Sequence, residues 1–481
     1  MRWMFTLFCL AVWCAVDAQS VGIGTSSPDT TAQLDISSSS RGLLIPRMPY
    51  DAVYTLKNPA QGLMFFDTTY NRLLVNIGTP AQSNWATIDH NTGWVLGGNT
   101  GGLSRVFGTQ DNTPINFMAN GKSFGILNPD TYDVAFGPLA LSEPYPGSSG
   151  NVALGYQSME GGASACVALG PLSLFGGGST CFYDVAIGYW AMAQASGHDC
   201  IALGDEALGE EKGAYNVGLG YATFLNSRAD NNIGIGTQAG NKTTTGSDNI
   251  AIGQTSFLNN TTGEANVAVG SMALNNSTTA WYNTAVGYNS GEAYDNGYNN
   301  VFLGANNDVN GAGYYNVIAI GQQVICTASN QARIGNPATN SIGGYANWTN
   351  FSDGRYKRNI RENVKGLDFI MRLRPITYNL DVTGIRNHLR EKAPTDAGTQ
   401  QSITARETEV FSGFAAQEVE AAAAAAGYNF SGVDKPKNAN DFYGLRYGDF
   451  VAPLVKAVQE QQQMIEELQK EVGALKKQIQ H

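Results

Sequence analysis

A chain of 481 residues with 43% hydrophobic content has room for roughly two to four domains with apolar cores, which sets disorder aside. A net charge of -11 and a pI near 4.9 disfavour nucleic acid and anionic membrane as partners, because both select clustered Lys and Arg. The charge is unevenly spread: residues 1–351 hold 11 Lys/Arg against 23 Asp/Glu, residues 352–481 hold 18 against 17, and 47 of the 57 glycines precede Ser352. A weakly charged, glycine-rich body therefore gives way to an ordinary globular piece at that serine.

Met1-Arg2, an apolar run from Trp3 to Val16 and the small-residue pattern Val16-Asp17-Ala18 read as an export signal cut after Ala18. No later run approaches the length that spans a membrane. Cys9 and Cys14 leave with the signal, and the remaining Cys166, Cys181, Cys200 and Cys326 follow no metal-ligand spacing. Between residues 19 and 130 the runs Leu43-Leu44-Ile45, Leu63-Met64-Phe65-Phe66 and Leu73-Leu74-Val75 are short, apolar and bounded by turn formers, as strands are. Val21-Gly22-Ile23-Gly24-Thr25 and Gly42 to Met48 resemble the N-terminal segments of bacterial fibre proteins, which implies a fibre base.

From about residue 131 a unit of the form Asn-Val-Ala-Leu-Gly recurs, as in Asn151 to Gly155, Asn216 to Gly220, Asn249 to Gly253 and Asn266 to Gly270, and with one extra residue in Asn316 to Gly321. Thirteen closing glycines run from Gly137 to Gly335 with gaps of 14 to 18 residues, so one coil per repeat is expected. Alternation in each unit predicts a short strand with two packed faces, Val152 and Leu154 on one and Ala153 on the other. The glycine permits a turn that a Cβ would obstruct. Stacked at strand spacing, the coils would extend on the order of 60 Å. Such units resemble those of trimeric autotransporter adhesin heads and phage tail fibres, where three copies of a β-roll pack together. The number of strands per coil stays open.

Several side readings are weaker. Cys166 and Cys200 lie two coil steps apart, beyond disulfide reach, so buried small residues are expected. Asp205, Glu206, Glu210 and Glu211 invite a glycosidase reading, but directly after a repeat glycine a solvated turn is the better one. Asn307 to Gly311 lacks the terminal acid of a Ca²⁺ loop. His90, His198, His388 and His481 are too scattered for a ligand set.

Beyond Ser352, apolar residues from Val364 to Leu373 predict a helix ended by Pro375, and Ile376 to Leu380 a strand. Residues 384–408 read as a polar, irregular, exposed insertion. Ser412 is placed to cap a helix through Ala421 to Ala426, with Gly427 as its stop. Val451, Val458, Ile465, Val472 and Ile479 occupy one heptad position and Leu454, Gln461, Leu468 and Leu475 the other, which predicts a coiled coil.

The junction reads Asn350-Phe351-Ser352-Asp353-Gly354-Arg355-Tyr356-Lys357. A serine needs a base to become a nucleophile, and Lys357 is the nearest candidate. An ordinary lysine is neutral only about once in a thousand at pH 7.5, so burial or a nearby cation such as Arg355 or Arg358 is required. Five-residue spacing places the two side chains apart on either a helix or a strand. The Asp353-Gly354 turn could fold the lysine back, or the base could come from another subunit. On residue types alone, a serine turn beside a surface lysine is the plainer reading.

Ser352-Asp353, Arg355, Lys357 and Asn359-Ile360 resemble the start of the intramolecular chaperone of phage endosialidase tail spikes, a domain also found in myelin regulatory factor. Leu373, Pro375 and Tyr378, then Gly413 to Val419, then Tyr447-Gly448-Asp449-Phe450 extend the resemblance over about 130 residues. It implies a domain that trimerises the fibre and acts once as an intramolecular Ser/Lys endopeptidase. Ser352 would be the nucleophile, Lys357 the base, Asp353 and Arg355 their support, and the cut would fall between Phe351 and Ser352. Arg358 departs from the family, where an acid is usual. The expected fold is mainly β: a parallel β-roll or β-helix fibre, a small α+β domain and a coiled coil. Its parts are residues 1–18 (signal), 19–130 (fibre base), 131–345 (repeats), 346–450 (chaperone) and 451–481 (coiled coil). Expected partners are two further copies of the chain and a host or surface glycan or protein, with no cofactor and no metal. An uncleaved surface adhesin is the alternative, and a polysaccharide-degrading spike is a more distant one.

Overall fold

The structure, a computed structural model of the single chain, describes residues 20–88, 108–109, 111–142, 147–161, 163–176, 181–210, 212–292, 296–391, 393–394 and 396–480. The expected signal, residues 1–18, lies outside these residues, as do His90, Glu211 and His481. Among the described residues no helix is long and apolar enough to cross a membrane. The chain divides into two compact units, Met1–Gly108 and Thr109–His481.

In the first unit Val21–Ile23 pairs in parallel with Leu34–Ile36. A four-stranded sheet follows, Arg47–Met48, Met64–Asp67, Arg72–Asn76 and Trp85–Ile88. Two of the apolar runs thus lie on strands, whereas Leu43-Leu44-Ile45 does not: Pro46 follows it, and pairing starts at Arg47. Val53, Phe65 and Leu74 form a small core, with Trp85 edge-on to Phe65 at 5.0 Å.

In the second unit an antiparallel hairpin, Ile115–Ala119 with Lys122–Asn128, opens a 15-stranded sheet. Its remaining 13 strands, from Asp133–Phe136 to Ala332–Ile334, are all parallel and in register, Val152 opposite Val167 and Val267 opposite Thr284. Each strand is about three residues long, so every coil adds one strand to this sheet and returns through turns. The two-faced expectation is half met. Ala153, Ala186, Ala251 and Ala285 are fully buried, while the flanking Leu154, Ile201 and Val286 remain exposed, since among the described residues no second sheet covers that side.

The glycine column has a steric cause. Gly287 sits at φ +134, and a Cβ there would lie 2.4 Å from the Gly304 carbonyl oxygen, so one column of backbones stacks without side chains. After many of these glycines the chain turns inward and deposits a large residue: Met159, Leu174, Met192, Leu208, Phe224, Phe257 and Leu274 are all buried. Volumes trade between coils. A Cβ on Gly240 would meet the Phe224 ring at 2.3 Å and one on Gly234 at 2.8 Å, so these glycines vacate the space the ring fills. Burying such a side chain is worth about 1.5–3 kcal/mol.

The residue four before most of these glycines builds a polar ladder. The Asn266 side chain accepts from the Asn283 backbone N–H at 3.0 Å and donates to the Ala280 carbonyl at 2.7 Å, and Asn216, Asn249, Asn283 and Asn300 repeat the scheme. The buried amides satisfy backbone groups that would otherwise be stranded inside. Cys166 and Cys200 take the same place, their sulfurs accepting from the N–H groups of Asp184 and Asn216 at 3.4 Å. All four described cysteines are buried, as expected for Cys166 and Cys200.

The C-terminal part holds helices α1 (Leu367–Ile370), α2 (Val382–Leu389), α3 (Ala397–Thr408), α4 (Ala416–Ala425) and α5 (Val451–Ile479). The expected 364–374 helix is reduced to one turn. Its N-terminus packs so closely on α5 that Leu367 N–H donates to Glu460 at 2.7 Å and a Cβ on Gly366 would reach Ala457 N at 2.8 Å. The 384–408 segment is not irregular but largely helical, with Asp381 and Asp396 capping α2 and α3. Ser412 is not a cap: it lies in a strand, Phe411–Gly413, paired with Ile376–Tyr378, and α4 starts after Ala415. Gly427, at φ +59, does end α4. Phe369, Val419, Phe430 and Phe450 form the core.

Candidate functional site

The stretch between body and C-terminal part has almost nothing around it. Every residue from 340 to 363 is exposed, including Tyr345, Trp348, Phe351, Tyr356 and Ile360. Within this arm the sequence still imposes local order. Asp353 caps a single 3₁₀ turn, Gly354–Tyr356, by accepting from Arg355 N–H at 2.9 Å, and Lys357 N–H closes the turn on Gly354 O at 3.1 Å. The turn reverses the chain, and Lys357 Nζ donates to Ser352 Oγ at 2.8 Å. The turn route to this contact is the one seen, within one chain, and neither a regular helix nor a strand is involved.

Arg355 completes the support by gripping Asp353 through Nε at 3.0 Å and Nη2 at 2.6 Å. That guanidinium, together with the Arg355 N–H, holds the Asp353 carboxyl below its usual value, while the carboxylate raises Arg355. Ser352, Asp353, Arg355 and Lys357 are therefore brought together, and Phe351 stands free in solvent ahead of them. What the arrangement offers is a hydroxyl, an amine in hydrogen-bond contact with it, and an accessible peptide bond between them and the body.

Residues 352–428 match the family model described as chaperone of endosialidase, a family classed among peptidases, and the match starts at this serine. Residues 22–101 match a phage tail like trimerisation region. The chain is tail-fibre-like, with a C-terminal endosialidase-type chaperone. Neither a curated protein nor a solved structure matches it. The two segments support a trimeric fibre, with self-association as the partnership they carry, and an extracellular or virion-associated setting.

The chaperone's other motif residues meet one another in space. The Tyr447 hydroxyl accepts from Phe414 N–H at 3.3 Å, and a Cβ on Gly413 would lie 2.3 Å from that oxygen, so glycine and tyrosine are matched sterically. The remaining candidates stay apart. Asp205, Glu206 and Glu210 sit on a turn after Gly204, His198 pairs with Asp199 at 2.9 Å, and His388 lies on α2. Asp308–Val309 is a two-residue strand rather than a cation loop. Among the described residues no group of three or more His, Cys, Asp or Glu is arranged to hold a metal. The sequence reading missed the loop from Asn438 to Phe442, whose side chains reach the last coils, and its one visible signal was a cluster of Asn and Asp.

Proposed function

We propose that the chain is an exported fibre of three copies whose C-terminal domain drives trimerisation and then cuts itself off before Ser352. The contact between Lys357 Nζ and Ser352 Oγ, at the first residue of the chaperone match, is the observation that carries this reading. Ser352 directly follows the scissile carbonyl, so its Oγ reaches the Phe351 carbonyl carbon by closing a small ring. A neutral lysine takes the hydroxyl proton, the C–O bond forms, and the C–N bond breaks as the proton passes to the Ser352 nitrogen. The product is an ester joining Phe351 to the Ser352 side chain. Water hydrolyses it, leaving a Phe351 carboxylate and a new N-terminal serine. Because the groups belong to one chain, their effective concentration offsets a weak base.

Assembly has a place in this scheme. The exposed heptad residues Val458, Ile465, Leu468, Val472 and Leu475 form an apolar stripe on α5 that suits a bundle of copies. Docked copies that cover the junction would exclude water and favour a neutral amine. The test is the mass of the purified protein, which should show two fragments meeting at Phe351 and Ser352, whereas Ser352→Ala stays whole. Hydroxylamine should speed the scission and leave a hydroxamate on Phe351. A single full-length species from the unaltered chain would sink the reading and leave an uncleaved fibre.

A further inference from the structure

We infer that the loop from Asn438 to Phe442 is a non-covalent latch that caps the last coils of the solenoid and keeps the chaperone on the body once the 340–363 arm is cut. The latch itself does not need self-cleavage, although its use after a cut rests on the function proposed above.

Its centre is Asp441, whose side chain is 4% exposed. That carboxylate accepts from the Thr327 hydroxyl, from Gln331 Nε2 at 3.2 Å and from its own loop's Lys437 N–H at 3.0 Å, and it faces the Arg333 guanidinium at 3.6 Å. Thr327, Gln331 and Arg333 all belong to the final coils, and Arg333 lies in the last strand, Ala332–Ile334. Asn438 adds two bonds, donating to the Thr327 carbonyl at 2.7 Å and the Tyr314 hydroxyl at 3.2 Å. From the other side Asn310 Nδ2 reaches Asn440 O at 3.3 Å. A second element holds the loop in place: His388 on α2 contacts Asn440 O at 3.2 Å and packs at a tilt against the Phe442 ring, centroids 4.7 Å apart, while Arg386 Nη2 extends toward Gln323 at 3.5 Å.

A stacked array must close both ends, since a bare terminal coil exposes unpaired strand edges. The first end is closed by the hairpin Ile115–Asn128, which is continuous with the first coil. At the last end the strand Ala332–Ile334 gains no further strand partner among the described residues, and the contacts made there come from side chains more than 100 positions downstream, on the far side of the junction. Cutting before Ser352 removes the only chain connection between cap and coil. What remains is a set of directed hydrogen bonds, half-buried around Asp441 and Asn438 and exposed at Asn440, and removing one side of a half-buried bond leaves its partner poorly satisfied.

The test uses full-length Ser352→Ala, so that its outcome is independent of self-cleavage. Limited chymotrypsin at the exposed Tyr345, Trp348 and Phe351 opens the arm, and gel filtration without denaturant follows. The two fragments should co-elute, and Asp441→Ala should release the C-terminal fragment with at least a tenfold weaker dissociation constant. Thr327→Ala, on the solenoid side, should weaken retention in the same direction and serves if Asp441→Ala does not fold. Fragments of Ser352→Ala that elute apart, or fragments of both substituted chains that still co-elute, would overturn the latch.

Discussion

The solenoid interior and the junction arm, both in the second unit, treat the same kinds of side chain in opposite ways. Inside the coils, amides such as Asn266 are wholly buried yet bonded at both ends, and phenylalanines such as Phe224 are sealed by glycines one coil on. On the arm, Trp348 and Phe351 stand in water with no neighbour from their own chain. A coil is completed by the next coil, so one chain suffices. The arm has no such neighbour within the chain.

The sharpest way to test that contrast is a pair of identical truncations. Phe224→Ala should lower unfolding free energy by about 3–5 kcal/mol, whereas Phe351→Ala should leave it unchanged in denaturant titrations of a monomeric Ile465→Asp/Leu468→Asp background. If Phe351→Ala were as damaging there, the arm would have a partner within its own chain. Next in size is the ladder. Asn266→Ala strands the Asn283 N–H and the Ala280 carbonyl and should cost about 1–3 kcal/mol, read by the same titration.

A smaller effect separates one rung from the rest. Asp184 occupies an Asn place, and its Oδ2 is buried without a hydrogen bond. Burial pushes its carboxyl up to about 7, against the Cys200 N–H that lowers it; Asp199 adds to the rise and His198 opposes it. Because the folded value exceeds the unfolded one, this group's stability is full below the ordinary carboxyl value of 3.8 and is lost as pH rises to about 7. Asp184→Asn should remove that slope and stabilise the chain at pH 8 by on the order of 1 kcal/mol, checked by unfolding curves at pH 5 and 8. The smallest effect on stability belongs to the arm. Arg355→Ala should not shift the melting temperature, yet it should slow the proposed cleavage by loosening Asp353 and the turn that delivers Lys357, as followed by fragment appearance on gels.

How legible all this was depends on whether a residue type has one use. The column from Gly137 to Gly335 showed in the sequence because only glycine fits its φ and its stacking, so period and coil count followed. The inward turns between did not show. Their left-handed positions are held by ordinary residues such as Trp190, Thr255 and Met272, whose conformation is imposed by neighbouring coils. The segment 384–408 misled for a related reason: its helices are mostly polar, and α2 buries a charged residue, Arg386, paired with Glu391 at 3.1 Å. At the junction the Asp353-Gly354 turn was readable and so was one route to the Lys357 contact. The Asp441 contacts join residues more than 100 apart and leave no local pattern to read.

The trade of volume around Phe224 bears on how such a fibre can change length. A duplicate of the Phe224 coil would bring a second phenylalanine to the place of Gly240, where even a Cβ comes within 2.3 Å of the first ring. Duplicating the Phe224 and Gly240 coils together keeps a glycine one coil after each phenylalanine. In this part of the solenoid, viable changes of length should therefore come two coils at a time.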